Sequence, residues 1–310
     1  MLNRRRFLQQ SLLAAGACLA PRIPYAAEPA TRRLTILHTN DTHSRLEAFP
    51  MDGSRNQGLG GVAARARIIR EIRQQEEQVL LLDAGDIFQG TPYFNIYKGE
   101  PEIKAMQQMG YDACTMGNHD FDGGLENFAT QMQHATFPVV LCNYDFSETP
   151  MEHKYLPYKI FRKGDLKVGI TGAGIELKGL VPDNLAGKTR YLDPVQAVNE
   201  VAELLKRKKG CDLVICLSHL GYQYRENPGR MCDTVLARET ELVDLIIGGH
   251  THTFLNEPVV VKNKTGSDVV VNQVGWAGII LGRLDFEFSS GKKKNLLKAH
   301  TVVVGKKSSE

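Results

Sequence analysis

Most of the residues able to do chemistry in this 310-residue chain fall in five short polar clusters. They are Asp41-Thr42-His43, Asp86 within Asp83-Ala84-Gly85-Asp86, Asn118-His119-Asp120-Phe121-Asp122, Ser218-His219, and His250-Thr251-His252 after Gly248-Gly249. Together they supply two Asp, one Asn and four His as candidate metal ligands (Asp41, Asp86, Asn118, His43, His219, His250 and His252), with His119 to spare. That is enough for two divalent ions sharing one carboxylate. Imidazole, carboxylate and amide oxygen donors without thiolate suit Zn(II), Mn(II) or Fe(II), and they argue against a structural zinc site, which normally uses Cys. Two such ions ~3.5–4 Å apart clamp the attacking and leaving oxygens of a displacement and lower the pKa of a bridging water. The chemistry expected is therefore hydrolysis of a phosphoester by metal-bound hydroxide.

Such ligands must be positioned by rigid elements, and the sequence shows where those lie. Apolar runs at 34–37, 79–82, 213–217 and 243–247 lead into the clusters; being mostly Leu, Ile and Val, they read as strands buried on both faces. In open α/β sheets, ligands gather beyond the carboxyl ends of such strands, and every cluster sits at that end. In extended backbone, residues i and i+2 point the same way. Asp41 with His43, and His250 with His252, are thus each expected to deliver two ligands to one small volume. Helical periodicity appears at 61–75, 95–109, 125–134 and 194–208. After His252 the pattern turns β-rich (258–261, 268–274, 279–288, 296–304), and this tail is expected to complete the second of two sheets. No internal repeat is present. The lysines at 292–294 read as a solvated hairpin turn.

The first 27 residues read as a targeting segment rather than part of the fold. Asn3-Arg4-Arg5-Arg6-Phe7-Leu8 is a twin-arginine pattern ahead of an apolar run too short to span a bilayer, and Ala26-Ala27 suits cleavage. A Tat-type signal implies the Tat export machinery as a partner and the periplasm, or the outer side of a bacterial cytoplasmic membrane, as destination. Lipid anchoring at Cys18 is disfavoured, because Ala15 stands where such signals usually have Leu. The chain holds 38 basic and 35 acidic residues; four Arg and no acid fall in residues 1–27, so the remainder carries a formal −1. That balance, without a basic patch interleaved with aromatics, excludes bulk nucleic acid as a partner. Cys114, Cys142, Cys211, Cys216 and Cys232 remain after cleavage; an odd count at irregular spacing is no disulfide framework, although one unspecified pair is allowed. The parts are then a signal at 1–27, a linker at 28–32, one catalytic domain at 33–304 and a tail at 305–310.

The stretches 36–43, 83–91, 117–122 and 248–252, with Leu217-Ser218-His219-Leu220-Gly221-Tyr222 and Leu281-Gly282-Arg283-Leu284-Asp285, closely resemble the 5′-nucleotidase branch of the calcineurin-like metallophosphoesterases. The resemblance runs in the family's order from about residue 33 to 290. It implies an α/β fold of four layers, two β-sheets flanked by helices. It also implies one metal held by Asp41, His43, Asp86 and His252 and a second by Asp86, Asn118, His219 and His250, with Asp86 bridging. His119 resembles the family's catalytic histidine, facing the phosphate, with Asp122 as its partner; Asp120 stands where the family often has Glu. The implied activity is that of an exported phosphohydrolase acting on nucleotide phosphomonoesters. The family's usual second domain, which holds the base and grips the phosphate, has no counterpart before Glu310. This leaves substrate-binding residues unassigned and points to a separate polypeptide of that type as a partner.

Other readings accompany these residues. Asn118 and Asp122 are residue types that also cap helices. His38 reads as a group packed behind the site, and His134, His153 and His300 as surface residues. On the same scaffold the alternatives are a phosphodiesterase or nucleotide-sugar hydrolase and a thiosulfohydrolase of sulfur oxidation. A metal-binding subunit without activity would have no need of the His119–Asp122 pair.

Overall fold

The computed structural model describes residues 32–289 and 294–305. In chain order the elements are β1 (Arg32–Thr39), α1 (Val62–Gln75), β2 (Val79–Asp83), α2 (Pro92–Tyr97), α3 (Glu100–Met109), β3 (Ala113–Cys114), α4 (Leu125–Gln131), β4 (Tyr144–Asp145), β5 (Tyr158–Lys163) and β6 (Leu166–Gly174). There follow α5 (Asp183–Ala186), β7 (Arg190–Tyr191), α6 (Pro194–Glu203), β8 (Leu213–His219), α7 (Asp233–Glu239), β9 (Leu245–Gly248), β10 (Val259–Lys262), β11 (Asp268–Asn272), β12 (Ile280–Phe288) and β13 (Lys294–Val303). One sheet has the order β13-β12-β1-β2-β3 and the other β10-β11-β9-β8-β6-β5, while β4 and β7 form a small ribbon.

Side-chain alternation explains the layering. Leu34, Ile36, Leu80 and Leu82 of the first sheet face Leu213, Ile215, Leu217, Leu245 and Ile247 of the second, closing an apolar middle. The opposite faces carry Leu37 and Leu81 against Ile68, Ile69 and Ile72 of α1 and Ile103 and Met106 of α3. Val214, Cys216 and Ile246 meet Val198 and Ala202 of α6 and Leu236 of α7. Helices, sheet, sheet and helices thus stack in four layers. Each buried Leu or Ile contributes about 1.5–3 kcal/mol relative to exposure. With both faces of each central strand committed in this way, polar side chains are left to the strand ends.

The parallel pairs β1–β2, β2–β3, β6–β8, β8–β9 and β9–β11 carry the site. The β-rich tail divides between the sheets instead of completing one. β10 and β11 extend the second sheet, whereas β12 pairs antiparallel with β1, and β13 with β12. The periodicity at 95–109 covers parts of two helices, broken where Lys98 and Gly99 adopt positive φ of 59° and 104°. At 194–208, α6 starts on Asp193, whose carboxylate accepts from Gln196 N, with Pro194 following, and a wider π turn closes it over Leu204–Lys208.

Strand β6, central to the second sheet, escapes a propensity reading because Gly169, Gly172 and Gly174 interrupt it. Gly172 is there for approach: a Cβ would overlap Val140 O. Arg32, expected in the linker, begins β1, and Gly305 bridges to Leu59. The leader at 1–27 and Lys292 and Lys293 lie outside the described residues, while the Lys294 ammonium pairs with Asp244. The five cysteines named above are free thiols, buried except for half-buried Cys142. Among the described residues no helix is long and apolar enough to cross a membrane.

Candidate dinuclear metal site

All five clusters converge between the carboxyl ends of the two sheets, three from β1, β2 and β3 and two from β8 and β9. The chain does not reach them in extended form. Asp41, His43, Asp86, His250 and His252 have φ of 50°, 49°, 54°, 74° and 50°, in the left-handed region that non-glycine residues enter at a cost. Backbone hydrogen bonds hold this geometry: Asp41 N donates to Gly85 O (2.9 Å), His43 N to Asp86 O (3.1 Å) and Ser44 N to Ile87 O (2.8 Å), locking the loop after β1 to the loop after β2. This turn geometry departs from strand alternation, and His250 and His252 diverge into separate clusters.

The deeper cluster is Asp86, His219 and His250. His219 is buried, and its Nδ1 donates to Ala84 O at 2.7 Å. Its Nε2 then faces Asp86 Oδ2 at 3.0 Å and Asp41 Oδ1 at 3.9 Å. A ring nitrogen set against two carboxylates needs a cation, either its own proton or a metal ion that displaces it. Burial opposes charge on the His219 ring, yet the Asp86 carboxylate pushes its pKa up to about 10. Burial works to raise the Asp86 carboxyl in turn, and His219 with His43 and His119 holds it below the ordinary range. His250 is pushed down to about 4 by burial and so is neutral, the form that ligates. Its Nδ1 lies 2.8 Å from Asn118 Oδ1, which joins the amide to this cluster. Gly117 leaves the space open, since a Cβ there would fill the gap between Asp86 and His219.

The second cluster is Asp41, His43 and His252. His43 Nδ1 donates to Phe88 O (3.3 Å), which turns its Nε2 toward His252 Nε2 at 2.9 Å, with Asp41 Oδ1 3.4 Å from His252 Nε2 and 3.9 Å from His43 Nε2. His43 Nε2 is also 3.9 Å from Asp86 Oδ2, so Asp86 faces both clusters. Burial lowers the pKa of His43, disfavouring a proton as the cation here. Converging imidazole nitrogens and carboxylates without thiolate fit two divalent ions of the Zn, Mn or Fe type.

His119 stands beside these clusters. Its Nδ1 lies 2.8 Å from Asp122 Oδ2, and this hydrogen bond raises its pKa while burial opposes the rise. Its backbone N–H donates to Asp86 Oδ1 (2.8 Å), tying it to the carboxylate that faces both clusters. Asp122 ends a short 3-10 turn, while Gly124 precedes α4, so Asp122 does not cap that helix. A cleft of about 330 Å³ opens over this edge, lined by His43, Gln89, Gly90, His119, His252 and Trp276. His38 is buried behind the site, its Nε2 2.9 Å from Asn272 Nδ2, and burial lowers its pKa to about 3. His134, His153 and His300 are exposed.

Three residues here escaped the sequence reading. Asp120, noted only as a departure, accepts from Asp86 N (3.0 Å), Ile87 N (2.9 Å), Phe88 N (3.1 Å) and Gly117 N (2.8 Å), shaping the loop that presents Asp86. Gln89, with φ 68°, places an amide at the mouth of the cleft. Its signal was its place just after the Asp83–Asp86 cluster. Trp276 stacks on His252; being the chain's single tryptophan was its only flag.

A profile of the calcineurin-like phosphoesterases matches residues 34–254. The chain is 36% identical over 299 residues to a snake venom 5′-nucleotidase of Gloydius brevicauda, covering 89% of this chain and 49% of that protein. It is 34% identical over 304 residues to a 5′-nucleotidase of Vibrio cholerae, covering 90% and 53%. Its fold matches a 5′-nucleotidase precursor from Thermus thermophilus with a TM-score of 0.78 at 33% identity, over 88% of this chain and 55% of that one. The chain thus spans about half the length of the curated relatives it matches.

Proposed function

Because the chain belongs to the calcineurin-like phosphoesterase family, we propose that it is a metal-dependent phosphoester hydrolase whose substrates are nucleotide 5′-monophosphates. In this reading Asp41, His43, Asp86 and His252 hold one divalent ion and Asp86, Asn118, His219 and His250 the other. The observation that carries it is the meeting of two ligand clusters on Asp86, with His119–Asp122 at the open edge. The ions would supply Lewis acidity and an activated water.

The chain's own residues do the rest. Asp122 accepts from His119 Nδ1–H, fixing the tautomer and favouring the imidazolium. His119 Nε2 is then the protonated donor beside the cleft, able to stabilise charge on an equatorial oxygen or pass a proton to the departing one. Asp120 keeps the Asp86 loop in register through its four amide contacts.

Two finer parts belong to the same proposal. The twin-arginine leader supports action on the outer side of a bacterial cytoplasmic membrane. A second polypeptide would supply recognition of the base. The test is phosphate release by the leaderless protein supplied with Mn(II) or Zn(II), from 5′-AMP, a UDP-sugar, a cyclic nucleotide and an aryl phosphate. AMP should be preferred, and His119→Ala should cost ~10²–10⁴-fold with metal content unchanged. Loss of metal in that variant would sink the role given to His119, and preference for the diester or the nucleotide-sugar would replace the substrate class. Selective AMP hydrolysis at full rate by the chain alone would remove the need for a second polypeptide.

A further inference from the structure

The imidazoles of the two clusters are not oriented alike. His219 and His43 each turn Nδ1 to a backbone carbonyl, the contact that usually fixes the ring of a metal-binding histidine. Among the described residues none accepts from His252 Nδ1. The His252 side chain is also 41% exposed, against 8% for His43 and 0% for His219. What it has instead is Trp276: the two rings are nearly parallel, 11° apart in plane, with centroids separated by 5.8 Å.

Trp276 is itself held from several sides. Phe49 meets its ring edge-to-face at 5.8 Å, and the Arg45 guanidinium lies 4.2 Å over Phe49, so the stack runs His252–Trp276–Phe49–Arg45. The flanking backbone is fastened to the site: Ala277 N donates to Asp41 O (2.7 Å) and Gly275 N to Thr253 O (2.9 Å). The Asn40 side chain donates to Gly275 O (2.6 Å) and accepts from Val274 N (3.0 Å). The indole is therefore placed relative to both Asp41 and His252 before any metal arrives.

We propose that Trp276 is the positioning residue of the more open metal site, orienting His252 by ring stacking as a carbonyl orients His43 and His219. The inference rests on the ligand assignment made above. Offset stacking fixes the plane of a ring but leaves its in-plane rotation freer than a hydrogen bond does. The ion held by His252 should accordingly be the weaker bound of the two. Trp276, the only tryptophan in the chain, should report on that ion alone.

The experiment titrates metal-stripped, leaderless protein with Mn(II), counting free Mn(II) by electron paramagnetic resonance while following tryptophan emission. Wild type should bind two ions with unequal affinity, and emission should change with the weaker. Trp276→Ala and Trp276→Leu should weaken that ion ~10–100-fold and leave the tighter one within threefold, with Trp276→Phe close to wild type. Turnover lost in the Ala variant at low Mn(II) should return at high Mn(II). The proposal is overturned if both ions bind Trp276→Ala as they bind wild type, if both weaken equally, or if Phe is as damaging as Ala. The emission arm needs no variant: emission unresponsive to the weaker ion overturns it equally. Failure of wild type to bind two ions would instead strike the ligand assignment, and this inference with it.

Discussion

Around Asp86 and His219 the ligands are braced by main chain: Ala84 O on the imidazole, His119 N on the carboxylate, and the four amides that Asp120 gathers behind the loop. Around His252 and His119 the braces are side chains at the edge of a cleft, an indole on one and a carboxylate on the other. Apart from the Asp120 carboxylate, those main-chain supports cannot be altered without refolding a strand end, whereas the rim's supports all change with one residue. The difference assigns charge-holding to the interior and adjustable affinity, orientation and selectivity to the rim.

The most severe way to break this division is Asp86→Asn. Asp86 faces both clusters, so both ions should be lost. The fall in rate should exceed the ~10²–10⁴-fold expected of an acid–base group. Elemental analysis showing one ion retained at full occupancy would mean that Asp86 does not bridge.

Next in size is Asp120→Ala, which strands four buried amide donors, each with a penalty of roughly 1–3 kcal/mol. Urea unfolding should show a loss of at least ~3 kcal/mol, with weaker metal binding because the Asp86 loop loosens. A change within ~0.5 kcal/mol, ordinary for an exposed position, would show that the interior is less dependent on this brace than its geometry implies.

The last test, a change of slope rather than a loss of function, sharpens the picture of the interior. Asp233, behind His219, is buried and accepts from Ser218 Oγ at 2.5 Å, and burial raises its pKa to about 8. A carboxyl whose folded pKa is raised favours the native state when protonated. Its contribution is complete below the unfolded value near 4 and is lost as pH rises through about 8. The ceiling on the loss is about 6 kcal/mol, at ~1.4 kcal/mol per unit. In chelator-treated protein, Asp233→Asn should flatten the decline in urea midpoint between pH 5 and 8.5, most clearly at the alkaline end. Identical pH profiles for the variant and wild type would locate the proton elsewhere.

The sequence was most legible where composition and position coincide. Leu80-Leu81-Leu82 and Leu213–Leu217 could only be doubly buried strands, and the polar residues after them could only lie at the strand ends. It was least legible at β6, where glycines, Gly172 among them demanded by the approach of Val140, mask a strand, and at β12, whose place beside β1 depends on a pairing some 250 residues distant in sequence. A pairing at that separation leaves no local trace. The helical pattern at 95–109 likewise hid a break set by two left-handed residues.

By itself, then, the sequence determined the donor types, the absence of thiolate among them and their station at the ends of buried strands, because residue chemistry and hydrophobic period are local properties. The tertiary structure alone decided which donors share a volume. His250 and His252, two residues apart, go to different clusters, while Asp41 and His43, equally left-handed, share one. Local conformation does not set the partition, and contacts with the other sheet's loops, such as His250 N to the Asp41 carboxylate, enter it. The same is true of Asp120 and Trp276, whose roles exist only in the strands and rings that folding brings to them.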